Sequence, residues 1–438
     1  AVDSKNNTTP ILCSQYQVTP DNRTWTIYLE PNATFSDGTR VTVQDVVASY
    51  EQARQNVYYK GRFTHIARVE LSSDGGVDFF LDTPYQNLAL LLDIPIVKAS
   101  EVTVDNPLGT GPYSLEDGIG GKHLQRVVGW WCSSDDLVAK DSSIALVEAE
   151  SPSQIRDEFE FSGLSVVCTN PQTDSYADYR CDFELWEVDS GFMMYIGCNV
   201  TYSDYFDDGT LRTFLTYGID RQTLVDDNYG GLALPTTLPI SPMSPYYSKS
   251  LAANYDYDEM RFIDAASKFR VPTNDKGVPR TLQLLVNSDD SARLRCARNI
   301  AATLTELGLA CETVESPTSV YEARLQAANY DIYLGITKLP TTADLSEFYR
   351  PWGEMSWGGL ANETIYNMVN QSLADRGNYY NLHKLVADDG RIIPVMAGYY
   401  AIYAKRGVLS DLNPARDNVF YYTLGKTMES SKVATQFS

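Results

Sequence analysis

Residues 24–55 read TWTIYLEPNATFSDGTRVTVQDVVASYEQARQ, and this stretch decides the fold of the first part of the chain. Thr24–Leu29 alternates apolar and polar side chains, as a half-buried strand does. The segment SDGT at 36–39 is typical of a turn, because aspartate and glycine readily adopt turn conformations. Thr42 then precedes an apolar helical pattern and has Asp45 three positions later, the spacing of a capping box. The stretch therefore predicts a strand, a turn and a capped helix.

Further along, the chain changes to a pattern in which strands and helices alternate. Consecutive segments have the periodicity of strand, long helix, strand, helix and strand: TLQLLVNS (281–288), SARLRCARNIAATLTELGL (291–309), ACETVE (310–315), SVYEARLQAA (319–328) and YDIYLGI (330–336). Such alternation is typical of βαβ units and predicts an α/β fold.

The distribution of these patterns predicts two lobes. The segment 234–250, LPTTLPISPMSPYYSKS, is rich in proline and serine and resembles a connection between lobes. The last apolar segment, VFYYTL at 419–424, has no strand partner near it in the sequence, so we predict that it returns to the first lobe. We expect a larger lobe formed by residues 1–231 and 401–438, and a smaller α/β lobe formed by residues 232–400.

Composition excludes several classes of function. The chain has 438 residues, of which 43% are hydrophobic and 21% charged, as in an ordinary globular protein with more than one core. Its formal net charge of -22 at pH 7 argues against nucleic-acid binding, because phosphates repel such a surface. The sequence has no apolar run of about 18 residues, the length that a transmembrane helix needs. His65, His123 and His383 are far apart, so we predict no metal site and no cofactor.

The seven cysteines are too few and too scattered for a disulfide-built scaffold, and their odd number leaves at least one unpaired. Cys168 and Cys181 flank the loop-like segment TNPQTDSYADYR, which a disulfide could close in an oxidising compartment. We take this pair as the candidate disulfide. Cys296 and Cys311 are near each other in sequence, but Cys296 lies well inside a predicted helix, so we expect no bond between them.

Several motifs resemble those of the extracellular solute-binding proteins that serve oligopeptide, dipeptide and nickel importers (family 5). They follow the family's order over nearly the whole chain: TWTIYLE with FSDGTRVTVQDVVASYE, NPLGTGPYSLEDG, LRTFLTYGIDRQTLVDDNYGG, YDYDEMRFIDAASKF, WGGLANETIYNMV and LVADDGRIIPVM. Each motif alone consists mainly of turns and helix caps. Their occurrence in the family's order is what makes the resemblance specific.

The resemblance implies a fold, a partner and a location. The fold is the two-lobed α/β architecture of periplasmic binding proteins (venus flytrap, type II or cluster C), with mixed sheets, flanking helices and the ligand enclosed between the lobes. The partners are a membrane permease and its ATPases. The resemblance also implies a monomer outside the cytoplasm, held at the cell surface by a lipid anchor or free in the periplasm. Compared with family members, the chain starts about one strand and one helix late.

Four aromatic residues are candidates for stacking on a ligand. Tyr58 and Tyr59 follow the capped helix, in a region that lines the cleft of family members. Trp352 and Trp357 lie in a glycine-containing loop, and loops often carry function. The alternatives are exposed tyrosines at a helix end and tryptophans that cover the core of the smaller lobe.

Four further residues are candidates for ligand contacts, and two of them, Tyr399 and Tyr400, lie where the chain is expected to recross toward the larger lobe. Lys338 could bind a ligand carboxylate or phosphate, and Asp344 could pair with a ligand ammonium. Tyr399 and Tyr400 could close the pocket. The alternatives are a surface lysine, a helix-starting aspartate and a core strand. The segment LGITKL (334–339) lacks the Trp, Arg and Asp that the family's oligopeptide binders have near this strand, which leaves the ligand class open.

We therefore predict the substrate-binding component of an ABC importer, which captures a peptide or a similar small solute and delivers it to a permease. The alternative is a surface receptor or sensor that kept the two-lobed body and binds a non-peptide ligand. We do not predict an enzyme, because the sequence has no GxSxG, no HExxH and no glycine-rich phosphate loop.

Overall fold

The structure is a computed structural model that describes residues 1–3, 5–118, 120–132, 142–170 and 179–409, together with Leu412, Pro414 and Arg416. The predicted strand VFYYTL lies outside the described residues. Among the helices that the structure describes, none combines the length and the apolar character that crossing a membrane requires.

The chain divides into two units. The first unit contains Ala1–Val188, Pro340–Thr342 and the chain from Tyr400 onward. The second unit contains Asp189–Leu339 and Ala343–Tyr399. The chain crosses between the units at residues 399 and 400, within one residue of the predicted boundary. The assignment of the short segment Pro340–Thr342 to the first unit was not predicted.

The first predicted boundary, between residues 231 and 232, differs from the observed one between 188 and 189. The reason is hydrophobic packing, because the residues after 189 enter the core of the second unit, as Met194, Phe214 and Leu224 do. The Pro/Ser-rich segment is not a connection between units either. Leu238 within it is fully buried in a small cluster of the second unit.

The first unit is mainly antiparallel. Its strands are β1 (Cys13–Val18), β2 (Thr24–Leu29), β3 (Ile66–Leu71), β4 (Val77–Leu81), β5 (Tyr113–Gly118), β6 (Gly121–Arg126), β7 (Ser143–Ala145) and β8 (Val166–Thr169), and its helices are α1 (Val43–Gln55) and α2 (Pro152–Phe161). One sheet has the order β1-β2-β4-β3, and β5, β6 and β7 form a second sheet.

The predicted strand, turn and capped helix are confirmed as β2 and α1. The carboxylate of Asp45 accepts a hydrogen bond from the amide of Thr42 at 2.8 Å and completes the capping box. Tyr50, on the buried face of α1, packs edge-on against Phe79 of β4 and donates its hydroxyl to the carbonyl of Leu92. The helix is thus fixed to the sheet through its apolar face.

The second unit contains a mixed sheet. Its strands are β9 (Phe183–Cys198), β10 (Leu234–Pro235), β11 (Leu282–Asn287), β12 (Cys311–Ser316), β13 (Ile332–Lys338) and β14 (Ile392–Lys405). They have the order β10-β14-β9-β13-β11-β12, and β8 pairs with β14. Strand β11 runs parallel to β12 and β13, whereas β9 runs antiparallel to β13. Both β9 and β14 continue from one unit into the other.

Helices flank this sheet, as the α/β prediction requires. They are α3 (Thr210–Phe214), α4 (Arg221–Tyr229), α5 (Lys249–Ala252), α6 (Glu259–Lys268), α7 (Ser291–Glu306), α8 (Thr318–Gln326), α9 (Ser346–Tyr349), α10 (Glu363–Ala374) and α11 (Tyr379–Asp389). Residues 210–229 do not form one continuous helix, because α3 and α4 are separated by a break before Asp220. The buried guanidinium of Arg221 fills this break by donating to the carbonyls of Pro394, Thr216 and Ile219.

The candidate disulfide between Cys168 and Cys181 is absent, because all seven cysteines are free thiols. Cys168 lies in β8, where alternation places Val167 and Thr169 on the buried face and Cys168 on the exposed one. Cys181 is partly buried just before β9.

His383 of α11 is fully buried, and neither of its ring nitrogens has a hydrogen-bond partner among the residues that the structure describes. Burial lowers the pKa of this imidazole to about 4. In an unfolded chain a histidine has a pKa of about 6.5. Below that pH the unfolded chain therefore binds a proton that the folded chain excludes, and acid destabilises the fold.

We predict that the free energy of unfolding falls by about 3 kcal/mol, through His383 alone, as the pH decreases from about 6.5 to about 4. The variant His383→Leu should lose this part of the acid slope while staying folded at neutral pH. Urea unfolding across that pH range measures both curves. His123→Gln is the control and should keep the slope, because His383 is still present. Equal slopes for the wild type and His383→Leu would contradict the prediction.

Candidate functional site

The carboxyl ends of the parallel strands β11, β12 and β13 form one edge of the sheet in the second unit. Helices α7 and α8 begin close to this edge, after β11 and β12. In open α/β sheets, ligands bind preferentially at such an edge. It is therefore the candidate functional site that this unit offers.

Part of this edge is occupied by the chain's own side chains. The carboxylate of Asp289 accepts hydrogen bonds from the amide and the hydroxyl of Thr318, at 2.8 and 2.7 Å. These bonds lower the pKa of Asp289. Asn287, at the end of β11, donates to the Thr318 hydroxyl at 3.0 Å. Asp289 thus occupies the start of α8, where an anion would otherwise bind.

A cluster of buried aromatic rings lies beside this edge. Tyr195 contacts Tyr333 and Phe348 edge-on, with ring centroids 5.7 and 5.0 Å apart, and Tyr330 contacts Tyr333 at 5.2 Å. The Tyr333 hydroxyl donates to the Tyr195 hydroxyl at 3.3 Å. Burial raises the pKa of Tyr195 to about 12, so its hydroxyl stays protonated.

Two glycines make this cluster possible. A Cβ on Gly335 would lie 2.7 Å from Cζ of Tyr195, and a Cβ on Gly197 would lie 2.2 Å from Cε1 of Tyr333. Both distances are far below van der Waals contact. The two tyrosine rings therefore pack directly against the strand backbone, which is possible only because glycine has no side chain there.

The predicted site residues of the second unit have different surroundings. Lys338 ends β13 opposite Phe192 of β9. Asp344 is buried, and its carboxylate accepts a hydrogen bond from the amide of Ser346 at 2.9 Å, so it supports the start of α9. Trp352 is 96% exposed, whereas Trp357 is partly buried where a short 3₁₀ turn begins.

The remaining predicted residues fall into two groups. Tyr58 and Tyr59 contact each other edge-on, with centroids 5.0 Å apart, and the guanidinium of Arg62 lies 5.3 Å from the centre of the Tyr59 ring. Tyr399 is buried within β14 of the second unit. Tyr400, in the first unit, packs against a small cluster that includes Val188 and Ile402. Both tyrosines are part of the strand β14, and their contact with a ligand stays a prediction.

The sequence analysis did not single out Tyr195, Tyr321 or Arg293 as residues near a possible site. Gly197 in β9 and Gly335 in β13 were the available signal in the sequence. A glycine within a strand often marks a place where another group approaches the backbone closely.

Sequence reasoning also missed a cavity of about 360 Å³ in the first unit, between β1, β2 and α1. Its walls are mainly apolar, and they include Trp25, Tyr50, Phe79 and Trp131. The indole N–H of Trp25 has no acceptor within the described part of the chain.

In the residues that the structure describes, no group of three or more His, Cys, Asp or Glu side chains is arranged to hold a metal ion.

Comparisons with known proteins agree on the fold. The model of "Bacterial extracellular solute-binding proteins, family 5 Middle" matches residues 7–359. The "Probable D,D-dipeptide-binding periplasmic protein DdpA" of Escherichia coli K12 is 22% identical over 93% of this chain and 83% of its own length. The glutathione-binding protein GsiB of Escherichia coli O6:K15:H31 is 24% identical over 60% of this chain, and the match spans 53% of that relative.

Among solved structures, the ABC transporter substrate-binding protein CtaP of Listeria monocytogenes superimposes with a TM-score of 0.74 and 16% identity. The superposition covers 97% of this chain and 91% of that one. The predicted fold class, two-lobed α/β of the periplasmic-binding-protein type, is thereby confirmed.

We predict that Gly335→Ala lowers the free energy of unfolding by about 1–3 kcal/mol, because the added methyl group overlaps the rings of Tyr195 and Tyr333. Chemical denaturation measures the loss. Gly61→Ala is the matched control, since nothing lies within 4 Å of a Cβ at that position. If the two variants were equally stable, the aromatic cluster would not depend on Gly335.

Proposed function

Because the chain belongs to the bacterial extracellular solute-binding proteins of family 5, and is thus a solute-binding component of an ABC importer, we propose that it captures a short peptide or a peptide-like solute. The family match over residues 7–359 is the observation that carries the proposal. Two relatives support the ligand class, since one is named for binding D,D-dipeptides and the other for binding glutathione, which is itself a modified tripeptide.

The same membership supports a location and a set of partners. We propose that the protein works outside the cytoplasm as a monomer and presents its solute to a membrane permease driven by ATPases. An attachment to the cell surface through a lipid is part of this proposal.

We further propose that exposed aromatic side chains contribute contacts to the solute. Trp352 is the best placed of the predicted residues, because its indole is 96% exposed and could stack on a ligand. Trp357, Tyr58, Tyr59 and Lys338 are proposed as additional contacts. Asp344, Tyr399 and Tyr400 are better explained as support for the loop and strand that carry them.

The test of function is a ligand screen. Native mass spectrometry of the purified protein identifies any solute that it retains, and a thermal-shift screen of di- to pentapeptides, sugars and amine-rich metabolites ranks candidates. A peptide that binds only the folded state should raise the melting temperature as its concentration exceeds the dissociation constant. If a different solute class raises it and no peptide does, the peptide proposal is wrong and the solute-binding role stands.

We predict opposite effects of Trp352→Gly on stability and affinity. Trp352 has a φ of 62°, a left-handed conformation that costs a non-glycine residue about 1 kcal/mol and costs glycine little. The variant should therefore unfold at a slightly higher denaturant concentration. It should also bind the peptide found in the screen about 10-fold more weakly, because the packing of the peptide on the indole ring is lost.

Isothermal titration calorimetry measures the affinity, and the control is Tyr202→Ala. Tyr202 is another aromatic residue of the second unit, 75% exposed, for which we propose no ligand contact. An unchanged dissociation constant for Trp352→Gly would remove Trp352 from the site.

A further inference from the structure

The cavity between β1, β2 and α1 is large for the interior of a protein. Its volume is about 360 Å³, and all the residues that line it belong to the first unit. Protein interiors are close-packed, and few of their voids are larger than a water molecule. Pockets that bind small molecules have volumes of roughly 300–1,000 Å³. The cavity therefore has the size of a binding pocket rather than of a packing defect.

Contacts among the lining residues hold the aromatic walls of the cavity in place. The Tyr50 hydroxyl donates to the carbonyl of Leu92 at 2.8 Å, and the Tyr50 ring lies edge-on to Phe79 with 4.9 Å between the centroids. Tyr16 stacks on Trp25, with 5.3 Å between the centroids and 16° between the ring planes. Because these contacts fix the walls, the cavity is formed without a ligand.

The cavity has a route to the protein surface. Tyr16 lines the cavity and is also 55% exposed. A small molecule can therefore enter beside this ring while α1 keeps its contacts with the sheet.

The charged groups on the cavity wall are neutralised or disfavoured. Among the lining residues that the structure describes, Asp93 is the only Asp, Glu, Lys or Arg, and its carboxylate pairs with the buried guanidinium of Arg62. The amino group of Ala1 donates to the carbonyl of Thr9 at 2.8 Å, and burial lowers the pKa of this amine. A charged molecule would lose its hydration in the cavity without gaining an unpaired side chain of opposite charge.

The aromatic walls offer few polar groups to a ligand. The indole N–H of Trp131 donates to the carbonyl of Thr110 at 3.0 Å. The indole N–H of Trp25 is buried and has no acceptor within the described part of the chain. The ring faces and aliphatic side chains are therefore the main surface that a ligand contacts.

We propose that this cavity binds a small neutral molecule with one aromatic ring. An apolar cavity of about 150 Å³ in another protein takes up benzene. A volume of about 360 Å³ thus leaves room for a substituted ring. Aromatic walls favour such a ligand, because edge-on and offset-stacked ring pairs attract each other. None of the residues proposed to contact the solute lines the cavity, so the site goes beyond the proposed function and its test needs no peptide.

The competing explanation is a void that holds only water. Toluene separates the two explanations, because a void without affinity for a ring gives no saturable binding. Benzoate and benzylamine carry the same ring with a charged substituent, and they test the requirement for a neutral ligand. The titrations are made at about pH 8.5, above the usual pKa of an α-amino group, so that the amine of Ala1 does not attract benzoate.

Fluorine NMR of the protein labelled with 5-fluorotryptophan measures the binding. The chain has six tryptophans, and the variants Trp25→Phe, Trp131→Phe, Trp352→Phe and Trp357→Phe assign four of the resonances. Toluene should shift the resonances of Trp25 and Trp131 with a dissociation constant of about 1 mM or tighter. The resonances of Trp352 and Trp357, in the second unit, should stay in place. Benzoate and benzylamine should bind at least about 10-fold more weakly than toluene.

The variant Gly111→Leu places a side chain at the cavity wall. Gly111 lines the cavity, and nothing lies within 4 Å of a Cβ at that position, so the added side chain meets open space. Toluene should bind this variant about 10-fold more weakly than the wild type, because the leucine occupies part of the volume. Gly61→Leu is the matched control. A Cβ at Gly61 is equally unobstructed but lies away from the cavity, so this variant should bind toluene as the wild type does.

The proposal would be overturned if toluene caused no saturable shift, or shifted only the resonances of Trp352 and Trp357. Binding of benzoate or benzylamine as tight as that of toluene would overturn it too. Equal affinity of toluene for the wild type and Gly111→Leu would place the probe elsewhere, with the same result. If Gly111→Leu did not fold, the resonances of the wild type and the charged probes would still decide. Each of these failures leaves the proposed solute-binding function standing.

Discussion

Two tyrosine–glycine pairs fix the register of the central strands in the second unit. Tyr195 of β9 lies opposite Gly335 of β13, and Tyr333 of β13 lies opposite Gly197 of β9. Each ring occupies space that a Cβ on a neighbouring glycine would fill. Since a shift of one residue would turn every side chain to the other face, these pairs allow one register only. That register sets where β13 ends, and with it the edge beside Arg293.

Local elements of the fold were predictable because their signals are local. The capping box at Thr42, the turn that follows β2 and the alternation from β11 to β13 can all be read within short windows. The break between α3 and α4 could not, because it depends on contacts from distant residues. A Cβ on Gly218 would lie 2.7 Å from the Phe262 ring, and Arg221 reaches the carbonyl of Pro394. The boundary between the units differs from the predicted one for the same reason. Its position depends on which hydrophobic core the residues after 189 join.

The candidate site was less predictable than the fold. Exposed aromatic residues such as Trp352 can be recognised from a loop that is rich in tryptophan and glycine. The surroundings of Arg293 cannot, because in the sequence it is one of several arginines on a polar helix. These surroundings are set by the strand order, which places α7, α8 and β13 at one edge. Asp344 is the opposite case. An aspartate at this position suggested ligand binding, but its carboxylate accepts a hydrogen bond from the amide of Ser346.

The overall charge of the chain bears on which solutes can approach it. A formal net charge of -22 at pH 7 repels anions from the surface, although salt screens this field beyond about 8 Å at physiological ionic strength. A zwitterionic peptide has no net charge, so the field does not oppose its approach. The attraction between its carboxylate and a guanidinium becomes strong only at contact, because partly buried charges are screened less by salt. The acidic surface therefore opposes the approach of multiply charged anions more than that of a zwitterionic peptide, the solute that we propose.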